Sequence, residues 1–145
     1  MDINSIIENA AATIRAIPEM AGVDVIEVHN GNVANKLEIS VAQQRFAVLV
    51  GWNGFKSRSN SSKTIVGDTT LTVDIFEKPV ITQGVAGGHI GPTLLDAARI
   101  IANAVNLSQP PGQSPIVFRS IDPVSEPRPG VISTTVNFDV SNSTL

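Results

Sequence analysis

The sequence predicts an α+β fold: a mixed or mainly antiparallel sheet flanked by two main helices, in the order α-β-(α)-β-β-α-β-β. Three observations carry this reading. Residues 2–17 and 92–105 repeat apolar side chains at the helical period. Residues 64–77 and 131–140 alternate apolar and polar side chains at the period of a strand. Clusters of Pro, Gly and Asn punctuate the chain between them. The 145 residues suit one domain, 1–140, followed by a short polar C-terminal tail, 141–145.

In 2–17, Ile3, Ile6, Ile7, Ala10, Ala11, Ile14 and Ile17 form one apolar stripe. Asp2 is placed to cap the N-terminus, and Pro18 with Gly22 ends the element. The Val- and Ile-rich segment 23–28 reads as a short strand. Turn residues 29–32 follow. Residues 32–43 fit either a hairpin return strand or, better, a short helix stacking Val33, Leu37 and Val41. The continuous apolar run 45–53 reads as a buried strand. Residues 54–63 are polar and basic and read as an exposed loop.

Residues 64–77 return as a strand with Leu71, Val73 and Ile75 on one face and Thr70, Thr72 and Asp74 on the other. A Gly-rich stretch then leads into the second helix, with Gly91 at its cap and Pro92 in its first turn. Leu94, Leu95, Ala98, Ile101, Ala102 and Val105 line that helix, and Ala97, Ile100 and Ala104 widen the stripe. Its apolar surface is broad enough for the sheet on one side and another subunit on the other. Asn106 stops it. After a Pro-rich connector, 116–121 is a strand and 122–130 a rigid, exposed, Pro-rich turn. In the closing strand Ile132, Thr134, Val136, Phe138 and Val140 share a face.

Composition excludes several chemistries. Charged residues make up 16% of the chain, against about 25% in an average soluble domain. The absence of cysteine removes disulfide scaffolds, thiolate zinc sites, iron–sulfur clusters and cysteine nucleophiles. Two histidines leave little material for a histidine metal cluster. A net charge of −3 without a dense basic run argues against specific nucleic-acid binding. No segment has the apolar length of a membrane span, and the N-terminus lacks the charge and apolar region of a secretory signal. The expected compartment is the cytosol of the cell that makes it, with no membrane partner.

Few residues suggest a site. Gly84, Gly87, Gly88 and Gly91 precede a helix, where backbone N–H groups can bind an anion. Their spacing matches no phosphate-loop motif and no Lys follows. A mobile assembly loop is the better reading, with His89 as an exposed loop residue. Asp68 and Asp74 are too far apart along a strand for an acid–base dyad. Asp122 and Glu126 read as partners in local salt bridges with Arg119 and Arg128. Lys56, Arg58 and Lys63 form one basic cluster beside Trp52 and Phe55. Such a cluster can bind single-stranded nucleic acid, but three charges fit contact with an acidic protein surface better.

The segments LTVDIFEKPVITQ (71–83), GPTLLDAARIIANAVN (91–106) and VFRSIDPVSEPRPGVISTTVNFDV (117–140), with the N-terminal helix and VDVIEV, resemble the tail terminator or tail-completion proteins of tailed bacteriophages. These are the minor tail proteins that close the tail tube. The resemblance spans most of 2–140. It implies a structural virion protein and no enzyme, with no catalytic residue, no metal and no cofactor. It implies a homo-oligomeric ring, commonly a hexamer, at the head-proximal end of the tail. Its partners would be further copies of itself, the tail tube protein, the head-completion or neck protein and, in contractile tails, the sheath protein. A subunit adding onto a sheet edge would use a Val/Thr-rich strand such as 131–140. The candidate contact residues are Lys56, Arg58 and Lys63 in the 54–63 loop and Gly87, Gly88 and His89 in the 82–91 loop. Alternatives are another virion joint, such as a neck or head–tail connector protein, and a small ligand-binding or enzymatic α+β domain using the Gly-rich loop 84–91.

Overall fold

The computed structural model describes residues 2–29, 46–59, 63–78, 93–108 and 114–144. Helix α1 (Ile3–Arg15) is followed by strand β1 (Asp24–Glu27), the long strands β2 (Phe46–Ser59) and β3 (Val66–Glu77), helix α2 (Leu94–Val105), then β4 (Ile116–Ile121), β5 (Ser125–Arg128) and β6 (Val131–Thr144). The strands form one six-stranded mixed sheet in the order β1-β2-β3-β6-β4, with β5 pairing β6 as well. β1 runs parallel to β2, and every other pairing is antiparallel. The α+β class and the two flanking helices are as the sequence predicts. No helix among the described residues is long and apolar enough to cross a membrane.

α1 forms where its stripe predicts. The Asp2 side chain accepts from the Ser5 N–H at 2.7 Å, satisfying one of the unpaired donors of the first turn. The helix stops at Arg15, two residues early. Pro18 cannot continue it and instead begins a single 3-10 turn, Pro18–Met20. Gly22, at φ +80°, supplies the left-handed turn into β1. The start of α2 differs from expectation. Its cap is Thr93, whose hydroxyl accepts from the Asp96 N–H, while the Asp96 carboxylate accepts from the Thr93 N–H. This reciprocal box satisfies two donors, which the expected Gly91 cap could not do. Asn106 does form the C-cap.

Both helices lie on one face of the sheet. Ile6, Ile7, Ala10 and Ile14 of α1 and Ala97, Ala98, Ile101 and Val105 of α2 meet Val48, Val50, Leu71, Val73, Ile75, Val136 and Phe138 in one core. Register places these strand residues together: Val50 opposes Val73, which opposes Val136, and Leu71 opposes Phe138. Each fully buried large aliphatic or aromatic side chain contributes about 1.5–3 kcal/mol, so this face is the main source of stability. Ile100 and Ala104 also pack against the core. Of the broad apolar surface expected on α2, Leu95 is the large side chain left exposed, at 62%.

Three expectations are corrected. Residues 54–59 are not loop but the second half of β2, pairing with β3 through Phe55↔Thr69, Lys56↔Asp68 and Ser57↔Gly67. Phe55 packs against the core, while Lys56, Ser57 and Arg58 are exposed. Cross-strand pairing, not burial, holds this polar segment. Residues 141–144 are not a tail; β6 continues to Thr144, with Thr144 opposite Val66 and Ser143 opposite Gly67. Asn142 takes φ +56°, which Asn tolerates, and the resulting bulge lets Ser143 donate to the Gly67 carbonyl at 3.1 Å. The Pro-rich segment 122–130 contains β5, which returns on β6 through a turn at Gly130 (φ +80°). The proposed 32–43 helix, the Gly-rich segment 81–92 and with it Gly87, Gly88 and His89 lie outside the described residues.

Candidate interaction surface

The second sheet face is polar. Asp68, Thr70, Thr72 and Asp74 of β3 stand beside Thr135, Asn137 and Asp139 of β6. A small apolar cluster lies at one end, where Ala47, Val131 and Phe76 meet, and Leu49 is buried opposite Asp74. The polar side chains bind one another. Thr135 Oγ1 donates to Asp74 Oδ1 at 2.5 Å. Asn137 Nδ2 donates to Asp122 Oδ1 at 2.9 Å and to Ser120 Oγ at 3.2 Å. Burial pushes the Asp74 carboxyl above its usual range, the nearby Asp122 charge adds to this, and the Thr135 hydrogen bond offsets part of it.

The predicted basic cluster lies on the β2–β3 hairpin, and Arg58 is its ion-paired member. Arg58 Nε donates to Asp68 Oδ2 at 3.0 Å, and its Nη1 donates to Asn142 Oδ1 at 3.0 Å. Its Nη2 lies 2.9 Å from Asp68 Oδ1. That oxygen has the guanidinium charge beside it but no well-aligned hydrogen bond. Lys56 is exposed in β2 opposite Asp68, and Lys63 is exposed just before β3. Arg119 pairs with Asp139 at 3.5 Å. Phe55, Lys56, Asp68, Thr70, Arg119 and Asp139 help line an open depression of about 570 Å³. Interspersed charges of both signs suit a polar protein contact better than a phosphate backbone, which requires a one-signed surface. Asp122 and Glu126 do not pair with Arg119 as expected. Asp122 accepts from Asn137, and Glu126 accepts from the Gly130 N–H at 3.2 Å.

No protein-family model matches the sequence, and no curated protein matches it. The fold does have a counterpart. It is similar to that of a chain in the solved structure of the virion of a native gene transfer agent (GTA) particle, with a TM-score of 0.54 over 96% of this chain and 94% of that chain, at 11% sequence identity. The likeness is one of fold.

The sheet edges carry the surface that sequence reasoning missed. β6 was the strand expected to add onto a neighbour, but it lies inside the sheet between β3 and β4, with β5 along its remaining length. Its Val/Thr alternation reflects two sheet neighbours and a helix-covered face. The edge is β4, where Val117, Phe118 and Ile121 are exposed, with Leu107 and Val124 on the flanking segments. Phe118 meets Phe138 edge-to-face, with ring centroids 6.2 Å apart. Part of this edge is already satisfied: Leu107 donates to the Ile116 carbonyl at 2.6 Å, and Asn106 Oδ1 accepts from the Phe118 N–H at 2.9 Å. Trp52, 43% exposed, and Ile65 add apolar surface on the β2–β3 hairpin. The sequence signal for β4 was its lack of alternation: Ile116, Val117, Phe118 and Ile121 cannot all face one core.

Proposed function

We propose that this chain is a structural subunit of a phage-like virion, and within it a tail terminator or tail-completion protein. The fold likeness to a virion chain, extending over nearly the full length of both chains, is the observation that carries the reading. The exposed apolar residues along β4 support it, because subunit contacts favour apolar surface and few charges that lose their water. In this reading the subunits close a ring by rotation, as a hexamer that caps the tail tube and meets the head-completion protein. Lys56, Arg58 and Lys63 on the hairpin, with Gly87, Gly88 and His89, are the proposed contacts to neighbouring rings. The role is non-enzymatic.

A neck or connector protein is the second reading, because the fold likeness supports any joint of such a particle equally. The test is electron microscopy of the purified protein mixed with tail tubes, with light scattering of the protein alone. The expected result is a ring seated on one end of the tubes. Binding to head-completion complexes but not to tubes would favour the neck reading. A monomer at every concentration, with no density on either partner, sinks both.

A further inference from the structure

α1 and β1 bring together three groups that are far apart in the sequence. Glu8 lies on the polar face of α1, and Glu27 and His29 are two residues apart at the end of β1. One ligand atom from each lies within 4.8 Å of the others. Glu27 and His29 are a quarter to a third exposed, and Glu8 is exposed, so the group is open to solutes on one side.

The hydrogen bonds around His29 orient it. Asn4, one helical turn before Glu8, places Oδ1 2.8 Å from His29 Nδ1. An amide oxygen only accepts, so Nδ1 carries the proton. The lone pair of the neutral ring is then on Nε2, which faces Glu27 Oε1 at 3.2 Å. Two electron-pair donors point at each other, so a cation belongs between them: either a second imidazole proton or a metal ion. Glu8 brings a second carboxylate oxygen within 4.8 Å of both. Arg15 holds the other Glu27 oxygen at 3.0 Å and also donates to the Val25 carbonyl at 2.8 Å. Glu27 is thereby fixed with Oε1 turned towards His29.

The geometry points to a divalent transition-metal site, best matched by zinc, with Glu8, Glu27 and His29 Nε2 as ligands and Asn4 as the residue that sets the histidine tautomer. Tetrahedral zinc with bonds of about 2.0–2.2 Å holds its ligand atoms roughly 3.3–3.6 Å apart. The 3.2 Å between Nε2 and Oε1 nearly meets that spacing. Glu8, exposed and unbranched, closes the rest by a change of rotamer. Such zinc ligands usually have an outer partner like Asn4 that receives the second ring N–H. One nitrogen and two oxygens suit zinc better than magnesium or calcium, which prefer all-oxygen shells. The fourth position is open to water or to a side chain from a neighbouring subunit. A bound ion would clasp the N-terminal helix to the edge strand β1.

The test uses the full chain, stripped with chelator, and zinc chloride alone as the probe. Calorimetry is expected to show one zinc per chain, with a rise in melting temperature that EDTA reverses and magnesium does not reproduce. Glu8→Gln leaves the helix and its packing intact and is expected to weaken zinc binding at least about tenfold. His29→Ala is expected to abolish it, and Asn4→Ala to weaken it without removing a ligand. Cobalt substitution is expected to give the intense visible bands of a four-coordinate site. The proposal is overturned if zinc does not bind, because the proton alone then fills the gap. Binding that survives unchanged in Glu8→Gln and His29→Ala overturns it too. His89, the other histidine in the chain, provides the control: His89→Ala is expected to leave zinc binding unchanged.

Discussion

The two faces of the sheet come from the same strands and are held by different physics. On the covered face, Leu71, Val73, Ile75, Val136 and Phe138 are fully buried beneath α1 and α2. On the open face, Thr70, Thr72, Asp74, Thr135 and Asn137 alternate with them one residue away. The covered face gains its free energy from apolar surface removed from water. The open face gains little net energy, because its hydrogen bonds replace bonds to water. It offers a polar surface on which Arg58 pairs with Asp68 and Arg119 with Asp139. Among the described residues no helix covers this face, and the exposed large apolar side chains lie mainly on or beside β4 and on the hairpin, with Leu95 on α2.

Phe138→Ala should be the most damaging change on the covered face, because it empties a fully buried site in the core beneath the helices and also loses the Phe118 contact. A loss of about 3–5 kcal/mol is expected by denaturant unfolding. Its neighbour Asn137→Ala, on the open face, should cost about 1 kcal/mol or less. Equal losses at the two positions would break the comparison.

Gly67→Ala tests the seam between β2 and β3. An added Cβ there would run into the Lys56 carbonyl, so the hairpin must shift. A loss of about 2 kcal/mol is expected, in the range of overpacking changes, with weakened amide protection at Lys56 and Ser57 in hydrogen exchange.

Thr93→Ala removes the cap of the helix that covers the sheet and should lower stability by about 1 kcal/mol. The Asp96 carboxyl is held below its usual range, chiefly by the hydrogen bond from the Thr93 N–H. A group ionising lower in the folded chain stabilises it above the unfolded pKa and loses that contribution as pH falls. Thr93→Ala keeps that N–H and loses only the hydroxyl's bonds, one of them to the Asp96 carboxylate, so its deficit relative to the parent should shrink in acid without vanishing.

Asp74→Asn should act in the opposite direction and by less. The Asp74 carboxyl ionises at higher pH in the folded chain than in the unfolded one, whose value is near 3.8. Ionisation therefore penalises the folded state once pH passes through that window, and the penalty is complete above the folded pKa. Asn keeps an acceptor for Thr135 and carries no charge. A gain of a few degrees in melting temperature is expected at pH 7, shrinking to nothing below about pH 4. A loss of stability at pH 7 would show that the charge, not only the shape, holds the open face together.

The amino-acid sequence by itself determined the two helices and the alternation of β3, because each is a local period that a neighbouring stretch cannot cancel. Ile6, Ile7, Ala10 and Ile14, and Leu71, Val73 and Ile75, are buried as that period requires. Local composition misled where pairing replaces burial. The polar 54–59 and 141–144 segments are strands because β3 offers both of them partners. Only the tertiary structure decided that β6 lies inside the sheet and β4 at its edge, because strand order depends on which distant segments pair and no local pattern encodes that. For the same reason Glu8, Glu27 and His29 could not be read as a group. They lie on different elements, and only the packing of α1 beside β1 brings their ligand atoms within 4.8 Å of one another.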